Sequence, residues 1–371
     1  MIYLDNAATS FPKPKSVLRE VKSCIEKYCG NPGRGSHDLS VKISERIYET
    51  RERIAAFIGL ENPENIVFTW NATYALNLAI KTEIKPGSHV IISNLEHNSV
   101  YRPIFALSEK SGVEFSVFNA YGDISKEIPK LIRENTCCII STLQSNVTGR
   151  RISAKILSDI AKKHGLRLIL DASQYIGHSE IDMRSTPCTL CAPGHKALFG
   201  IQGSGFVAFS DSLKRETLIE GGSGNDSKNP RMPENLPERF EAGTPCSPSI
   251  ISMLYGIKFI ENTGLCEIEK KTDALTEIYR DILFSVKRAV IHEYGNGIIS
   301  FNVSGIPGET VAEELNARKI YVRSGLHCAP LAHKTLGTEE IGTVRISLSY
   351  FNSRHEADAF YKAIRDISNK Y

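Results

Sequence analysis

Short apolar runs alternating with amphipathic segments constrain this chain more than any other feature. Ile66-Val67-Phe68, Val90-Ile91-Ile92, Glu114-Phe115-Ser116-Val117, Cys138-Ile139-Ile140, Leu168-Ile169-Leu170 and Phe206-Val207-Ala208-Phe209 read as strands. Helical stretches at 74–82, 101–111, 125–133 and 153–164 separate them. Strands joined through helices pair in parallel and have both sheet faces covered, so the pattern predicts an α/β fold. Upstream, Pro12 and Pro14 keep 5–14 extended. A helix follows at 16–28, closed by Gly30-Asn31-Pro32-Gly33, and another at 40–58 with Ser40 as its N-cap. Residues 221–237 are rich in Gly, Pro and Asn without periodicity, a loop long enough to suggest function or mobility. A helix at 247–262 then leads into a second, α+β region: a long helix from Leu265, a strand at 297–303, a helix at 309–317 and a last helix from His355. The expected division is a large domain at 14–262 and a smaller one made of 1–13 with 263–371. A chain of 371 residues is long enough for both.

The bulk numbers narrow the function classes. A net charge of +3 with no dense Lys/Arg block argues against nucleic acid as a partner. No apolar run approaches membrane-spanning length, and Met1-Ile2-Tyr3-Leu4-Asp5 lacks the pattern of a secretory signal. Nine cysteines, an odd number without a compact framework, read as reduced thiols in a cytoplasmic protein.

The chemistry concentrates after the run Leu168-Ile169-Leu170. Asp171 ends it, either as a cap for the next helix or as one of the ligand-contacting groups that gather there in open α/β sheets, with Gln174 close behind. About one βα unit later comes Ala192-Pro193-Gly194-His195-Lys196, followed by Gly200 and Gly203. A lysine set among small residues loses proton affinity by desolvation and becomes a nucleophile. Lys196 with Asp171 suits a lysine that holds an aldehyde as a Schiff base and an acid that keeps the aldehyde's ring nitrogen protonated, which points to pyridoxal phosphate. Thr73, at a strand-to-helix junction, reads either as an N-cap or as an anion ligand. Arg345, between Val344 and Ile346, reads as a buried ion-pair partner or as a clamp for a substrate carboxylate. Cys328 sits in Arg323-Ser324-Gly325-Leu326-His327-Cys328-Ala329-Pro330, an accessible loop where Arg323 and His327 could supply the positive charge that favours a thiolate. Cys188 and Cys191 have metal-ligand spacing without a second pair and are read as core packing; no metal is expected.

Beyond these residues, the chain resembles class V members of the fold-type I pyridoxal phosphate enzymes, in the cysteine desulfurase and selenocysteine lyase branch. Tyr3-Leu4-Asp5-Asn6-Ala7-Ala8, Asn31-Pro32-Gly33-Arg34-Gly35-Ser36-His37, Leu95-Glu96-His97-Asn98, Ser145-Asn146-Val147-Thr148-Gly149, Asp171-Ala172-Ser173-Gln174, Gly194-His195-Lys196, Phe240-Glu241-Ala242-Gly243-Thr244-Pro245, Arg323 to Cys328 and Val344-Arg345-Ile346-Ser347 carry the resemblance. It implies a large domain with a mostly parallel seven-stranded sheet plus a smaller α+β C-terminal domain, assembled as a homodimer with the site at the interface. It implies Lys196 as the Schiff-base lysine, Asp171 on the pyridinium nitrogen, Gln174 on the phenolic oxygen and His97 stacked on the ring. Ala72, Thr73 and His195 would hold the phosphate, joined by Thr244 of the neighbouring subunit, and Asn146 would contact both cofactor and substrate. Arg345 and Arg323 would orient L-cysteine or L-selenocysteine, Arg34 and His37 would line the entrance, and Cys328 would take the sulfur. Related enzymes often carry Ser three residues before the lysine as a phosphate ligand; here that position is Pro193. The short interval from Cys328 to Arg345 matches the compact-loop group, so sulfur destined for uses such as iron–sulfur cluster assembly would need an acceptor protein or a reductant to come to the site. An aminotransferase or β-lyase that does not use Cys328 is the second expectation, and a non-catalytic cofactor-binding protein the third.

Overall fold

The structure, a computed structural model, describes residues 1–33, 35–211, 215–224 and 227–371. The chain opens with β1 (Ile2–Tyr3), α1 (Lys15–Lys27) and α2 (Asp38–Phe57). It then alternates through β2 (Ile66–Thr69), α3 (Ala72–Glu83), β3 (His89–Ser93), α4 (Asn98–Ser111), β4 (Glu114–Phe118), α5 (Ile124–Leu131), β5 (Thr136–Thr142), α6 (Ala154–His164), β6 (Arg167–Asp171), β7 (Thr189–Pro193) and β8 (Gly205–Phe209). These seven strands form one sheet in the order β2-β8-β7-β6-β5-β3-β4. Only β8 runs antiparallel to its neighbours. Every residue of β3, β7 and β8 is buried, as expected where helices cover both faces. The alternation is visible in the packing: Ile91, Ile139 and Leu170 join one apolar cluster, while Val90, Ile92 and Ile140 join the cluster on the other face.

The rest of the chain supplies α7 (Ser247–Thr263), α8 (Leu265–Ser285), β9 (Ala289–Gly295), β10 (Ile298–Val303), α9 (Gly308–Ala317), β11 (Ile320–Tyr321), β12 (Arg323–Gly325), α10 (Pro330–Leu336), β13 (Thr343–Ser347) and α11 (Arg354–Lys370). A separate antiparallel sheet has the order β12-β13-β10-β9. β1 pairs in parallel with β11, and Leu4 sits in the apolar cluster of Tyr279, Phe301 and Phe360. The expected α/β fold with a mostly parallel seven-stranded sheet is thus present.

Local departures have physical causes. The segment of β7 shows no alternation because both its faces are buried, so it reads as a core stretch and not as a strand. α4 starts at Asn98, earlier than its apolar pattern suggests, because the His97 ring caps it by accepting from the Ser99 N–H at 3.0 Å. α10 spans 7 residues, too few for a readable period. Among the described residues no helix is long and apolar enough to cross a membrane.

β3, β5 and β6 end at one edge of the sheet, at Ser93, Thr142 and Asp171, and the functional side chains gather beyond it. The loop after β5 is fixed against the turn between β9 and β10. Ser300 Oγ donates to the Val147 carbonyl at 2.6 Å, and Asn296 Nδ2 to that of Gly149 at 2.9 Å. Gly149 has φ +71°, and a Cβ there would lie 1.9 Å from the Gly295 carbonyl oxygen. Gly149→Ala should therefore lower stability by about 2–3 kcal/mol. A urea titration checks this, and an unchanged midpoint would contradict the contact.

Candidate active site

A cavity of about 180 Å³ lies at the carboxyl ends of the parallel strands, with Lys196, Asp171, Gln174, Asn146, His97 and His195 in its lining. Asn71, Ala72, Thr73 and Ser99 close one end of it. Asp171 is 3% exposed at the end of β6, and its Oδ1 accepts from the Ser173 N–H at 2.8 Å, which fixes the carboxylate. Gln174 is held by Nε2, which donates to the Ala7 carbonyl at 2.8 Å. Lys196 follows β7 through Gly194, where a Cβ would meet Ser204 Oγ at 2.3 Å and Met253 at 2.6 Å. The His195 carbonyl accepts from Lys13 Nζ at 2.7 Å, Thr9 Oγ1 at 3.1 Å and the Ser10 N–H at 3.2 Å, and the Lys196 carbonyl from Ser10 Oγ at 2.8 Å. The backbone that presents the lysine is thus gripped from one side.

Burial sets the protonation states. It lowers the Lys196 amine from 10.5 to about 8; Arg345 and Arg323 push the same way while Asp171 opposes them. His97 and His195 are each held down to about 4, by burial first and then by the Lys196 charge. Because a backbone N–H can only donate, His97 Nδ1 is an acceptor, and the neutral ring carries its proton on Nε2.

The Cys328 loop is fastened to this cavity. Asn146 Nδ2 donates to the His327 carbonyl at 2.8 Å, and the Asn98 N–H to that of Cys328 at 2.7 Å. His327 and Cys328 adopt φ +48° and +58°, a conformation that side chains disfavour, and the Cys328 thiol is exposed. His327 does not supply the positive charge expected from sequence. It is 5% exposed, its Nε2 lies 3.1 Å from the Thr343 carbonyl, and burial, reinforced by Arg345, holds its pKa down to about 2. Arg345 is 2% exposed, with Nη1 3.0 Å from the Asn146 carbonyl and Nη2 2.7 Å from Asp5 Oδ1, the buried ion pair that one of its two sequence readings expects. Arg323 stands opposite Arg345 in the β12–β13 register and is exposed.

Thr244, expected from a neighbouring subunit, and His37, expected at the entrance, are not among the residues lining this cavity. Thr244 is exposed and lines a different cavity, of about 300 Å³, beside the exposed Trp70. The exposed His37 caps α2, with Nδ1 accepting from the Ser40 N–H at 3.3 Å, and lines neither cavity. Arg34 lies outside the described residues. Cys191 is buried on β7 and Cys188 is buried just before it. Sequence reading assigned nothing to Asp5, Lys13 or Ser99. The acid after Tyr3-Leu4 was the one available signal for Asp5, and Ser99 could only be read as a helix-start serine.

The class-V aminotransferase family profile matches residues 2–360. The chain belongs to this family. It is 33% identical over 383 residues to a probable cysteine desulfurase of Methanothermobacter thermautotrophicus, covering 99% of this chain and 94% of that relative. A probable cysteine desulfurase of Pyrococcus abyssi is 31% identical, with 99% and 94% covered. The apo structure of a cysteine desulfurase from Thermococcus onnurineus NA1 superposes with a TM-score of 0.90 at 31% identity, covering 100% of this chain and 95% of that one. CsdA of Escherichia coli, at 22% identity and a TM-score of 0.88 over 99% and 94% of the two chains, shares the fold.

The class-V cavity has the groups a phosphorylated aldehyde cofactor needs. They are an amine of depressed basicity, a fixed carboxylate, hydroxyls at helix N-termini and a buried His195 Nδ1 that has no hydrogen-bond partner. The amine's shift makes a stability prediction. Below about pH 8 Lys196 is charged in both folded and unfolded chains, and burying that charge costs fully. Between about 8 and 10.5 only the unfolded chain keeps the proton, so stability rises with pH. Lys196→Met should therefore raise Tm of the aldehyde-free protein at pH 7 by roughly 2–4 °C, and the gain should vanish by pH 10.5. Calorimetry at both pH values checks it; a gain that did not depend on pH would refute the buried charge.

Proposed function

We propose that this protein is a pyridoxal phosphate-dependent cysteine desulfurase, converting L-cysteine to L-alanine and leaving the sulfur on Cys328 for an acceptor protein. The observation that carries the reading is the exposed Cys328 thiol, fastened through Asn98 and Asn146 to the cavity of Lys196 and Asp171. The names of its relatives support the same substrate.

The cofactor supplies an aldehyde that condenses with amines and an electron-poor ring that takes up the electrons of a Cα–H bond. Asp171 would hold a proton on the ring nitrogen, Gln174 would contact the phenolic oxygen, and His97 would cover one ring face. The N-terminal turn of α3, at Ala72 and Thr73, would hold the phosphate together with His195. The Lys196 amine would remove the Cα proton, and its pKa, lowered by burial to about 8, suits that work close to neutral pH. Arg345 orients the substrate carboxylate with Arg323 and Asn146, sharing its guanidinium with Asp5. The Cys328 thiolate attacks the substrate sulfur: an S–S bond forms, the Cβ–S bond breaks, and its electron pair is protonated on carbon. The net change is L-cysteine plus the Cys328 thiol to L-alanine plus a Cys328 persulfide, with no outside oxidant.

A homodimer belongs to this reading. Thr244 is exposed and apart from its own chain's Lys196, as a residue offered to a second copy would be. Arg34 and His37 would then line the entrance. Nine free thiols fit the expected reducing cytoplasm.

Incubation of the cofactor-loaded protein with L-cysteine and a thiol reductant should release alanine and sulfide in equal amounts. Cys328→Ala should cut alanine release at least about 100-fold, and Arg345→Lys should raise KM about 10-fold or more. Selenide from L-selenocysteine under the same conditions gives the chalcogen preference. Full turnover by Cys328→Ala would shift the assignment to an aminotransferase or β-lyase, and no alanine from either substrate would sink it.

A further inference from the structure

The cavity has a hydroxyl that the roles above leave unused. Ser99 is 7% exposed, lies in the first turn of α4 and lines the cavity together with Thr73 and His195. Its Oγ is 2.8 Å from Thr73 Oγ1, so the first turns of α3 and α4 meet through these two hydroxyls. The Ser99 backbone N–H already occupies the acceptor lone pair of His97 Nδ1 at 3.0 Å. Ser99 Oγ also lies 2.8 Å from that nitrogen, where no second in-plane lone pair receives it. The hydroxyl has Thr73 Oγ1 and His97 Nδ1 as neighbours, but Nδ1 stays paired with the backbone N–H and Thr73 can be the donor between the two hydroxyls, so the Ser99 hydrogen can turn towards the cavity without leaving either group unpaired. Nearby, His195 Nδ1 is buried without a hydrogen-bond partner, and Pro193 lines the wall with no donor of its own.

We infer that the Ser99 hydroxyl is a ligand of the cofactor's phosphate, completing with Thr73 and His195 a donor set drawn from three elements. Two helix N-termini converging on the same end add positive potential for a dianion. The inference rests on the pyridoxal phosphate reading, and it separates that group's phosphate from its ring. Ser99→Ala keeps the backbone N–H that orients His97, so a loss confined to the phosphate is readable.

The test is an equilibrium titration of the full-length chain, freed of bound aldehyde, with pyridoxal phosphate and with pyridoxal, followed by visible absorbance. Ser99→Ala should weaken pyridoxal phosphate binding about 10-fold, the worth of one charge-assisted hydrogen bond, and change pyridoxal binding less than about twofold. Unchanged affinity for pyridoxal phosphate would overturn the assignment. So would an equal loss for both aldehydes, which would mean that Ser99 acts only through His97. An unsubstituted chain that binds neither aldehyde would bring down the cofactor reading and Ser99 with it. An unsubstituted chain that prefers the phosphorylated aldehyde, with a variant that keeps the same preference, would bring down Ser99 alone.

Discussion

The Arg345 side chain is 2% exposed, and its Nη2 is 2.7 Å from a carboxylate oxygen of Asp5, at the opposite end of the sequence. A guanidinium so buried without a counter-charge would cost several kcal/mol, so the site needs residue 5 in place before residue 345 can be there. Register pairing of Ile2 with Ile320 and Tyr3 with Tyr321 delivers it. The same extended segment continues across the site. The Ala7 N–H donates to Ser347 Oγ and the Ala7 carbonyl receives Gln174, each at 2.8 Å, and Thr9, Ser10 and Lys13 then close on the His195 carbonyl. One strap therefore sets Arg345, Gln174 and the lysine loop in a common frame.

That frame also controls charge. Of the titratable groups lining the cavity, His97 and His195 are held near 4 and stay neutral at pH 7, which leaves Lys196 as its basic group. Beneath them Glu96 is fully buried, with Oε1 accepting from the Thr142 N–H at 2.8 Å and from the Ser93 hydroxyl. Burial, with Asp171 as a smaller contributor, raises its pKa to about 8. A neutral acid there joins the ends of β3 and β5 and spares Asp171 a like-charged neighbour. Lys13 sits near 7 by burial alone, so the strap grips the lysine loop without fixing a strong second cation beside it.

How much of this was legible in the sequence follows from the range of each interaction. The strand–helix alternation and the Asp171 and Lys196 segments are local patterns, and they place the sheet and its cavity. β7 lost its period because both of its faces are buried. The Asp5–Arg345 pair spans a separation of 340 residues and leaves no periodic trace. In sequence His327 stands next to Cys328 as a possible cation, whereas its environment is set by Thr343 on another strand and by burial. Ser99 looks like any helix-start serine until α3 and α4 are brought together.

The Cys328 loop shows what such long-range fixing achieves. Consecutive residues at φ +48° and +58° are disfavoured, by about 1–2 kcal/mol each, and a loop free to relax would not keep them. The Asn146 and Asn98 donors on the two carbonyls, together with the His327 ring locked against Thr343, offset that strain. The strain then becomes positional: the thiol is held exposed at one point near the cavity instead of sweeping through solvent. In the proposed reaction a fixed thiol would meet a substrate held by Arg345 with little loss of entropy, but it would not carry its product away. On the proposed reaction, sulfur left on Cys328 would leave with a second molecule that reaches it, and the exposed surface around that residue is where that molecule would have to fit.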